Sequence, residues 1–498
     1  ARQTLDMLVG YDLSGVVRRK VPGAISAGRV QSPALRLVVE REQEIEKFAT
    51  NAKFKVTANF LTKAKDELPA TLDHTFDTEK TAQNYLEKVA KADFKIADIV
   101  TSPSVRRPAP PFTTASMQIE ANSRLGFSTR TTMTAAQALY QAGLITYHRT
   151  DSLNLSKQAI AMTASYIEEK YGKEYLQVRN FKTKSAGAQE AHEAIRPTHI
   201  EQEVAGKNDY ERKLYRLIRN RTLATQMTEA KTEKTVVKIT TIIEKKYFFE
   251  AKGEVIIFDG FLKVTGRTKE DELPNLAVDD PLNTTKITAR QSFAKPPARY
   301  TEGSLVKKLE ELGIGRPSTY ASIMQAIQSR GYVVKGESEG EPRDVIQLTL
   351  EKDKVAREIV TEKTGSTKGK LIPTPIGELL AGFLTDNFNN IVDYQFTANI
   401  EEDLDKIAEH QLERVQMLRD FYEPFQKEVL KSDDAARYNN ARELGKHPKT
   451  GQPIYAKIGR NGGFIQLGDN EKSSGEKPRF APLPKGMTEK TVTLEAAL

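Results

Sequence analysis

The chain has 498 residues, too many for one hydrophobic core and enough for three or four domains. Its 75 Lys and Arg outnumber 67 Asp and Glu, and the formal charge of +8 at pH 7 suits a polyanionic partner without requiring one. It has no cysteine, which excludes a disulfide framework and a cysteine zinc site and points to an intracellular protein, and no apolar run near the roughly 20 residues that cross a bilayer.

The chain opens on Ala1, not methionine, and is already in helical periodicity, which reads as a piece cut from a longer protein; the far end, Leu494-Glu495-Ala496-Ala497-Leu498, reads the same way. Helices are expected over 3–48, where Leu5, Leu8 and Val9, and later Leu35, Val38 and Val39, keep helical spacing. Between them, Gly28-Arg29-Val30-Gln31-Ser32 offers backbone amides and a cation ahead of a helix N-terminus, an arrangement suited to a phosphate. The same residues also read as a tight turn in which Ser32 caps the helix and Pro33 takes its first position, and the two readings are compatible. Period-two alternation marks strands at 54–60 and 94–100. After Pro108-Ala109-Pro110-Pro111 the pattern is helical to about 230, strands resume at 235–241, 247–250 and 255–258 and continue to about 293, and Pro296-Pro297 ends them. A second helical stretch follows to about 432. Two β-rich stretches therefore bracket a helical block, and two helical stretches bracket both. The elements should nest, and a domain tied to its neighbour by two adjacent strands can swing about them without losing its own core.

The innermost block holds Leu144-Ile145-Thr146-Tyr147-His148-Arg149-Thr150-Asp151-Ser152. Residues 144–146 read as the end of a short buried strand and 150–156 as rich in helix-capping types, which puts Tyr147 at a strand-to-helix junction. In extended backbone Tyr147 and Arg149 point to one side. A guanidinium beside a tyrosine hydroxyl can favour the phenolate and neutralise a phosphate that gathers charge, so the pair suits covalent phosphoryl transfer; equally, it suits a helix entrance with no chemistry. Farther on, His192-Glu193 has Arg196 where a metalloprotease motif needs its second histidine, so that reading fails. Arg316 and Ser318 lie in another Gly-Arg-Pro-Ser turn, where they hold a phosphate or Ser318 is only a cap.

Around Tyr147 the sequence resembles the active-site segment of the type IA DNA topoisomerases, and Tyr-His-Arg-Thr-Asp-Ser is closer to the bacterial topoisomerase I branch than to topoisomerase III. Four other blocks resemble the same family in the same order: Ser26-Ala27-Gly28-Arg29-Val30-Gln31-Ser32-Pro33, Ala191-His192-Glu193-Ala194-Ile195-Arg196-Pro197, Arg299-Tyr300-Thr301-Glu302, and Gly313-Ile314-Gly315-Arg316-Pro317-Ser318-Thr319-Tyr320-Ala321. A weaker likeness over 444–467 is to a cysteine-free C-terminal topoisomerase repeat, where Lys457, Arg460 and Phe464 either contact single-stranded DNA or belong to a small β module with Phe464 in its core.

The resemblance implies a multidomain α+β fold, with helical domains nested around a β-rich arch in a toroidal clamp, plus a small C-terminal β-rich repeat. On this division 1–48 and 298–432 form a helical DNA-binding domain, 49–107 and 231–297 the arch, 108–230 the tyrosine domain and 440–498 a truncated repeat. The implied activity is ATP-independent: one DNA strand is broken through a 5′-phosphotyrosine link to Tyr147, another strand passes, and the break is resealed, relaxing negatively supercoiled DNA. Arg149 would stabilise the attacked phosphate and His192 position it, with Arg196 assisting. Residues Arg2, Asp6, Tyr11, Arg29 and Gln31 would line a groove leading single-stranded DNA to the tyrosine, and Ser32, Thr146, Thr150, Asp151, Glu193, Arg316 and Ser318 complete the DNA-binding candidates. In the family magnesium is bound by a Toprim domain that precedes this segment. Here the nearest acidic pattern, Asp403-Leu404-Asp405, is followed by Ile407 in place of an acid and reads as a solvated helix face, so no metal site is expected in this chain. The implied setting is a monomer in the bacterial cytoplasm, at the nucleoid, with DNA as partner and no membrane. The alternative is a single-stranded DNA-binding module unable to cleave without the Toprim domain; an RNA-binding protein ranks far lower, for want of an aromatic-rich single-strand signature.

Overall fold

The computed structural model describes residues 1–181, 192–266, 271–434, 441–459, 462–468, 478–484, 487, 489 and 491–498, so Ala191, Arg460 and Asn461 lie outside the described residues. Two helices open the chain, Arg2–Lys20 (α1) and Gln31–Glu46 (α2), followed by strands Ala52–Leu61 (β1) and Glu67–Phe76 (β2), helix Glu79–Val89 (α3) and strand Phe94–Arg106 (β3). Helices Thr114–Leu125 (α4), Thr129–Gln141 (α5), Lys157–Tyr171 (α6) and Asp209–Thr225 (α7) come next, then strands Ala230–Thr241 (β4) and Phe249–Phe258 (β5), the short helix Leu262–Thr265 (α8) and strand Pro281–Phe293 (β6). Past it lie Glu302–Glu311 (α9), Tyr320–Ser329 (α10), Val333–Lys335 (β7), a hairpin of Glu341–Glu351 (β8) and Lys354–Thr364 (β9), and Leu371–Pro373 (β10). Helices Pro375–Asn387 (α11), Asn389–Val392 (α12), Tyr394–Ala408 (α13) and Arg414–Asp434 (α14) lead to Arg442–Lys446 (β11), Pro453–Gly459 (β12), Gly462–Leu467 (β13), Arg479–Pro482 (β14) and a last helical turn, Leu494–Ala497 (α15).

The main sheet follows from alternation. In β1, Phe54, Val56, Ala58 and Phe60 are buried while Lys55, Thr57 and Asn59 face out. The antiparallel order is β1-β2-β5-β4-β3-β6, and β1 pairs again with β6, so the sheet closes on itself. Inside, the Phe60 ring lies 5.1 Å from Phe94 and 5.4 Å from Phe249. The hairpin β8–β9 adds to this sheet through β6, with Ile287 opposite Leu350. Residues 341–364, read from sequence as part of a helical stretch, are therefore strand and belong with the arch; Val345, Leu348 and Leu350 are buried in it.

Strands β3 and β4 pair along their length, from Phe94 opposite Thr241 to Arg106 opposite Ala230. Helices α4 to α7 are thus an insertion at the end of one two-stranded ribbon, with a core of their own that includes Phe112, Leu139, Ile145 and Tyr215. Leu5, Leu13 and Val38 near the start of the chain share a different core with Leu305, Leu380 and Phe383. The C-terminal β11–β14 form a separate antiparallel sheet over Ile454, Ala456 and Ile465.

The insertion also meets the outer helices directly. Glu302, first residue of α9 and 3 % exposed, accepts from Thr129 N at 2.6 Å and Thr129 Oγ1 at 2.9 Å at the start of α5, and its other oxygen meets Lys335 Nζ at 2.6 Å. Burial opposes ionisation of this carboxyl, but Lys335 and Thr129 hold it below the usual carboxylate range. Beside it, Gly303 N donates to Asn122 Oδ1 at 3.1 Å, and a Cβ on Gly303 would stand 2.9 Å from that oxygen. Replacing Glu302 with Ala leaves the Thr129 amide and the Lys335 ammonium without their acceptor. The Thr129 amide should then exchange with solvent on the order of tenfold faster, read by hydrogen–deuterium exchange. Unchanged protection at Thr129 would show that the junction does not depend on this carboxylate.

Candidate active site

Tyr147 lies in the loop between α5 and α6, and backbone pairing gives that loop its shape. Gly143, at φ +71°, turns the chain out of α5. Thr146 N then donates to Arg196 O at 2.9 Å and Thr198 N to Leu144 O at 3.1 Å, around a single bridge of Ile145 with Pro197. Thr146 Oγ1 adds a bond to Ala194 O at 2.8 Å and accepts from Arg196 N at 3.0 Å. The strand expected over 144–146 is thus one bridge, made to the 192–197 segment. Nor does a helix begin at once after the tyrosine. Thr150 Oγ1 accepts from Ser152 N and Ser152 Oγ from Asn154 N, so these cap-type residues turn the loop, and Ser156 is the residue that caps α6.

Alternation survives across the tyrosine: Tyr147 and Arg149 are exposed and His148 between them is 1 % exposed. The His148 ring lies 5.4 Å from the Tyr147 ring and 5.8 Å from that of Tyr140, and neither of its nitrogens has a hydrogen-bond partner among the described residues. Burial, with the Arg149 charge beside it, pushes the imidazole from 6.5 down to about 4, so His148 is neutral at pH 7. One residue that sequence reasoning missed fixes this backbone. Thr114, in the first turn of α4, donates its N–H to Thr150 O at 2.8 Å and its hydroxyl to His148 O at 2.8 Å, and accepts from Thr150 N at 2.9 Å. A threonine at a helix start looks like a cap, and nothing in its neighbours marks the long-range partner.

The second segment divides its side chains. His192 is exposed. Arg196 is engaged by Glu193, at 2.8 and 3.3 Å, and by Pro197 O at 3.0 Å, while Glu193 also accepts from Ser156 N at 2.5 Å. In spite of burial, Arg196 and Ser156 hold the Glu193 carboxyl below its usual range. Arg196 thus braces the loop in this conformation.

The remaining candidates gather at a second cluster. Arg2, Arg29 and Arg316, from three separate blocks, converge on Glu401 of α13, which is 0 % exposed: Arg2 bonds it directly, Arg29 Nη1 lies 2.6 Å away and Arg316 Nη1 3.8 Å. Asp6 takes Arg29 Nε at 3.1 Å, and Asp405 takes Arg316 Nη2 at 2.5 Å. The face read as solvated is therefore divided: Asp403 pairs with Lys406, and Asp405 turns to the arginines because it lies one helical turn beyond Glu401. Arg29 itself is 2 % exposed, whereas Tyr11 is 74 % exposed. Helix α2 begins at Gln31, so Ser32 falls inside its first turn and accepts from Gly28 N at 3.2 Å, and Pro33 follows it. At the other turn Thr319 Oγ1, not Ser318, accepts from Arg316 N at 2.8 Å, and Ser318 is exposed. Gln31 is half-buried beside Gly28. A cleft of about 960 Å³ joins the two regions, lined by Thr150 and Asp151 on one side and Glu310, Arg316, Tyr320 and Asp405 on the other. In the C-terminal sheet, Lys457 is buried with its Nζ on Gln466 Oε1 at 2.9 Å, and Phe464 meets Phe480 edge-on at 5.8 Å.

Residues 1–364 match a family model described as DNA topoisomerase, and residues 447–498 one described as topoisomerase C-terminal repeat. DNA topoisomerase 1 of Xylella fastidiosa (strain Temecula1) is 37% identical over all of this chain, which spans 62% of that protein. DNA topoisomerase 1 of Rickettsia felis is 35% identical, with 100% of this chain and 73% of that protein covered. The solved structure of full-length topoisomerase I from Thermotoga maritima superposes with a TM-score of 0.74 at 31% identity, covering 96% of this chain and 74% of that one.

The buried histidine makes the tyrosine loop sensitive to acid. A folded-state pKa below the unfolded 6.5 means that the unfolded chain takes the proton first. The stabilisation is therefore complete above about pH 6.5 and is lost as pH falls toward 4, by on the order of 3 kcal/mol. His148→Phe should flatten the fall in melting temperature between pH 6.5 and 5, and a histidine NMR titration should place His148 near 4. A midpoint near 6.5 would contradict the burial argument.

Proposed function

Because the chain belongs to the type IA DNA topoisomerase family, we propose that it supplies the nucleophile and DNA-binding part of an enzyme that breaks and reseals one DNA strand without ATP. The observation that carries the reading is Tyr147 and Arg149 exposed together on a loop whose backbone is held by Thr114, Ala194 and Arg196. The Tyr147 oxygen bonds the phosphorus of a single-stranded segment as the bond to the 3′ oxygen breaks; the tyrosine gives up its proton and the departing oxygen takes one up. One phosphoester replaces another, so the 3′ hydroxyl can reverse the step. Arg149 faces the charge gathering on the phosphate, and exposed His192 positions it. Negatively supercoiled DNA, where strands separate most readily, is the substrate.

Ranges 1–48 with 298–432 form the DNA-binding domain, less the hairpin 341–364, which goes with the arch of 49–107 and 231–297. The tyrosine domain, 108–230, swings about the β3–β4 ribbon to let a strand through, and 440–498 is a terminal repeat. Among the described residues no group of three or more His, Asp or Glu side chains is arranged to hold a metal ion. In the intact enzyme, magnesium would be held by Toprim acids. No helix among the described residues is long and apolar enough to cross a membrane; we place the protein in the bacterial cytoplasm, as a monomer.

Incubating the chain with labelled single-stranded oligonucleotide, magnesium and a separately made Toprim domain should yield a denaturation-resistant adduct. Tyr147→Phe should abolish it while binding stays within about twofold. Arg149→Ala should cut its yield on the order of 100-fold with a much smaller loss of binding. An adduct surviving in Tyr147→Phe would name another nucleophile, and tight binding without an adduct from the unaltered chain would favour the binding-module reading.

A further inference from the structure

We propose that Asp405 occupies the place of a DNA phosphate on Arg316, and that Glu401 is the positioning residue that keeps Arg2, Arg29 and Arg316 oriented while that exchange occurs. The inference rests on the DNA-binding reading above and adds to it two carboxylates that the sequence motifs do not include.

The two acids sit one turn apart on α13 in different surroundings. Glu401 is enclosed, 0 % exposed, in contact with Arg2 and Arg29 and 3.8 Å from Arg316. Asp405 is 38 % exposed, lines the cleft, and takes the Arg316 fork side-on, with Nη2 at 2.5 Å and Nε at 3.2 Å on one oxygen. That fork is the geometry a guanidinium offers to a phosphate oxygen. Removing Glu401 from its cations would leave a buried charge unpaired, whereas the partly exposed Arg316–Asp405 pair is held less firmly and can exchange for another anion. The inner acid therefore stays and the outer one yields.

Charge balance supports the same division. Three arginines face three carboxylates, Asp6, Glu401 and Asp405, so the cluster is neutral until DNA arrives. Arg316 would remain aimed after Asp405 leaves, because its Nη1 also donates to Gly315 O at 2.9 Å. Arg29 is held differently: its Nη1 faces Glu401 Oε1 at 2.6 Å as an ion pair, and its buried Nη2 has no hydrogen-bond partner among the described residues. A placeholder of this kind limits affinity, which suits an enzyme that must release the strand.

The test is fluorescence anisotropy of a labelled single-stranded oligonucleotide titrated with the full chain at fixed salt. Asp405→Asn should tighten binding roughly fivefold, by removing the competitor. Asp403→Asn makes the same charge change on the same helix, away from Arg316, and should stay within about twofold. Glu401→Gln should weaken binding on the order of tenfold, because the guanidiniums lose their anchor; if that variant does not fold, the two aspartate variants decide alone. Equal tightening by both would reduce the effect to net charge and overturn the proposal, as would no tightening by Asp405→Asn. If the unaltered chain does not bind the oligonucleotide at all, the DNA-binding reading itself falls.

Discussion

The tyrosine loop has no regular structure of its own, so its geometry depends on backbone groups it finds elsewhere. Residues 144–146 pair with 196–198, Ala194 N donates to Asn154 O at 2.8 Å, and Thr114 closes on the carbonyls of His148 and Thr150. Each partner comes from a distant part of the sequence. A nucleophile needs a fixed approach but also an open face, and a helix or strand would pair the backbone at the expense of one or the other. Borrowed pairing fixes the main chain and leaves the Tyr147 and Arg149 side chains out in solvent.

The same economy governs the cations. Where an arginine's donors are taken by protein acceptors, as in Arg196 with Glu193 and Pro197, it holds structure. Arg149 makes no ion pair among the described residues, so its charge is available to a ligand. Between these extremes, Arg2 and Arg316 are partly exposed and already satisfied, and they take up a phosphate only by exchanging a carboxylate. The three states grade with burial, as expected when the desolvation of a charge sets how firmly it must be paired.

How much of this was legible in the sequence follows from range. The alternation of β1, the helical spacing of α1 and α2 and the nesting of one block inside another are local or ordered signals, and the structure has them. The hairpin β8–β9 was not foreseen because a few alternating apolar residues in a helical stretch are ambiguous until β6 is there to pair with them. The start of α6 was bracketed within 150–156 but not fixed, because Thr150, Ser152 and Ser156 are equally good caps by residue type, and only the loop's turns decide which one acts. Thr114 and Glu401 were invisible, and Asp405 was read as a solvated face, for one common reason: each is an ordinary residue in its own segment, and its role is defined by groups that only the fold brings near. Five motif blocks supplied the candidate residues; they could not say which of these, such as Arg196 and Arg29, are held inside by neighbours.

The junction between the insertion and the outer helices bears on whether the tyrosine domain can lift at all. If the two cores were continuous, separation would expose a large apolar area and would be too costly. They meet narrowly, at α4: Ala115 is buried in the outer core and Ile119 packs partly against it, while Met117 and Ala121 belong to the insertion's own core. Polar bonds also cross this junction, Glu302 to Thr129 and Gly303 to Asn122, and such bonds exchange with water at a net cost near 1 kcal/mol each, more for the charged one. The β3–β4 ribbon, by contrast, is paired along its whole length up to the point where the insertion begins. Lifting the insertion away from the outer helices thus has to free Ala115 and Ile119 and exchange these polar bonds, while the ribbon ladder can stay paired.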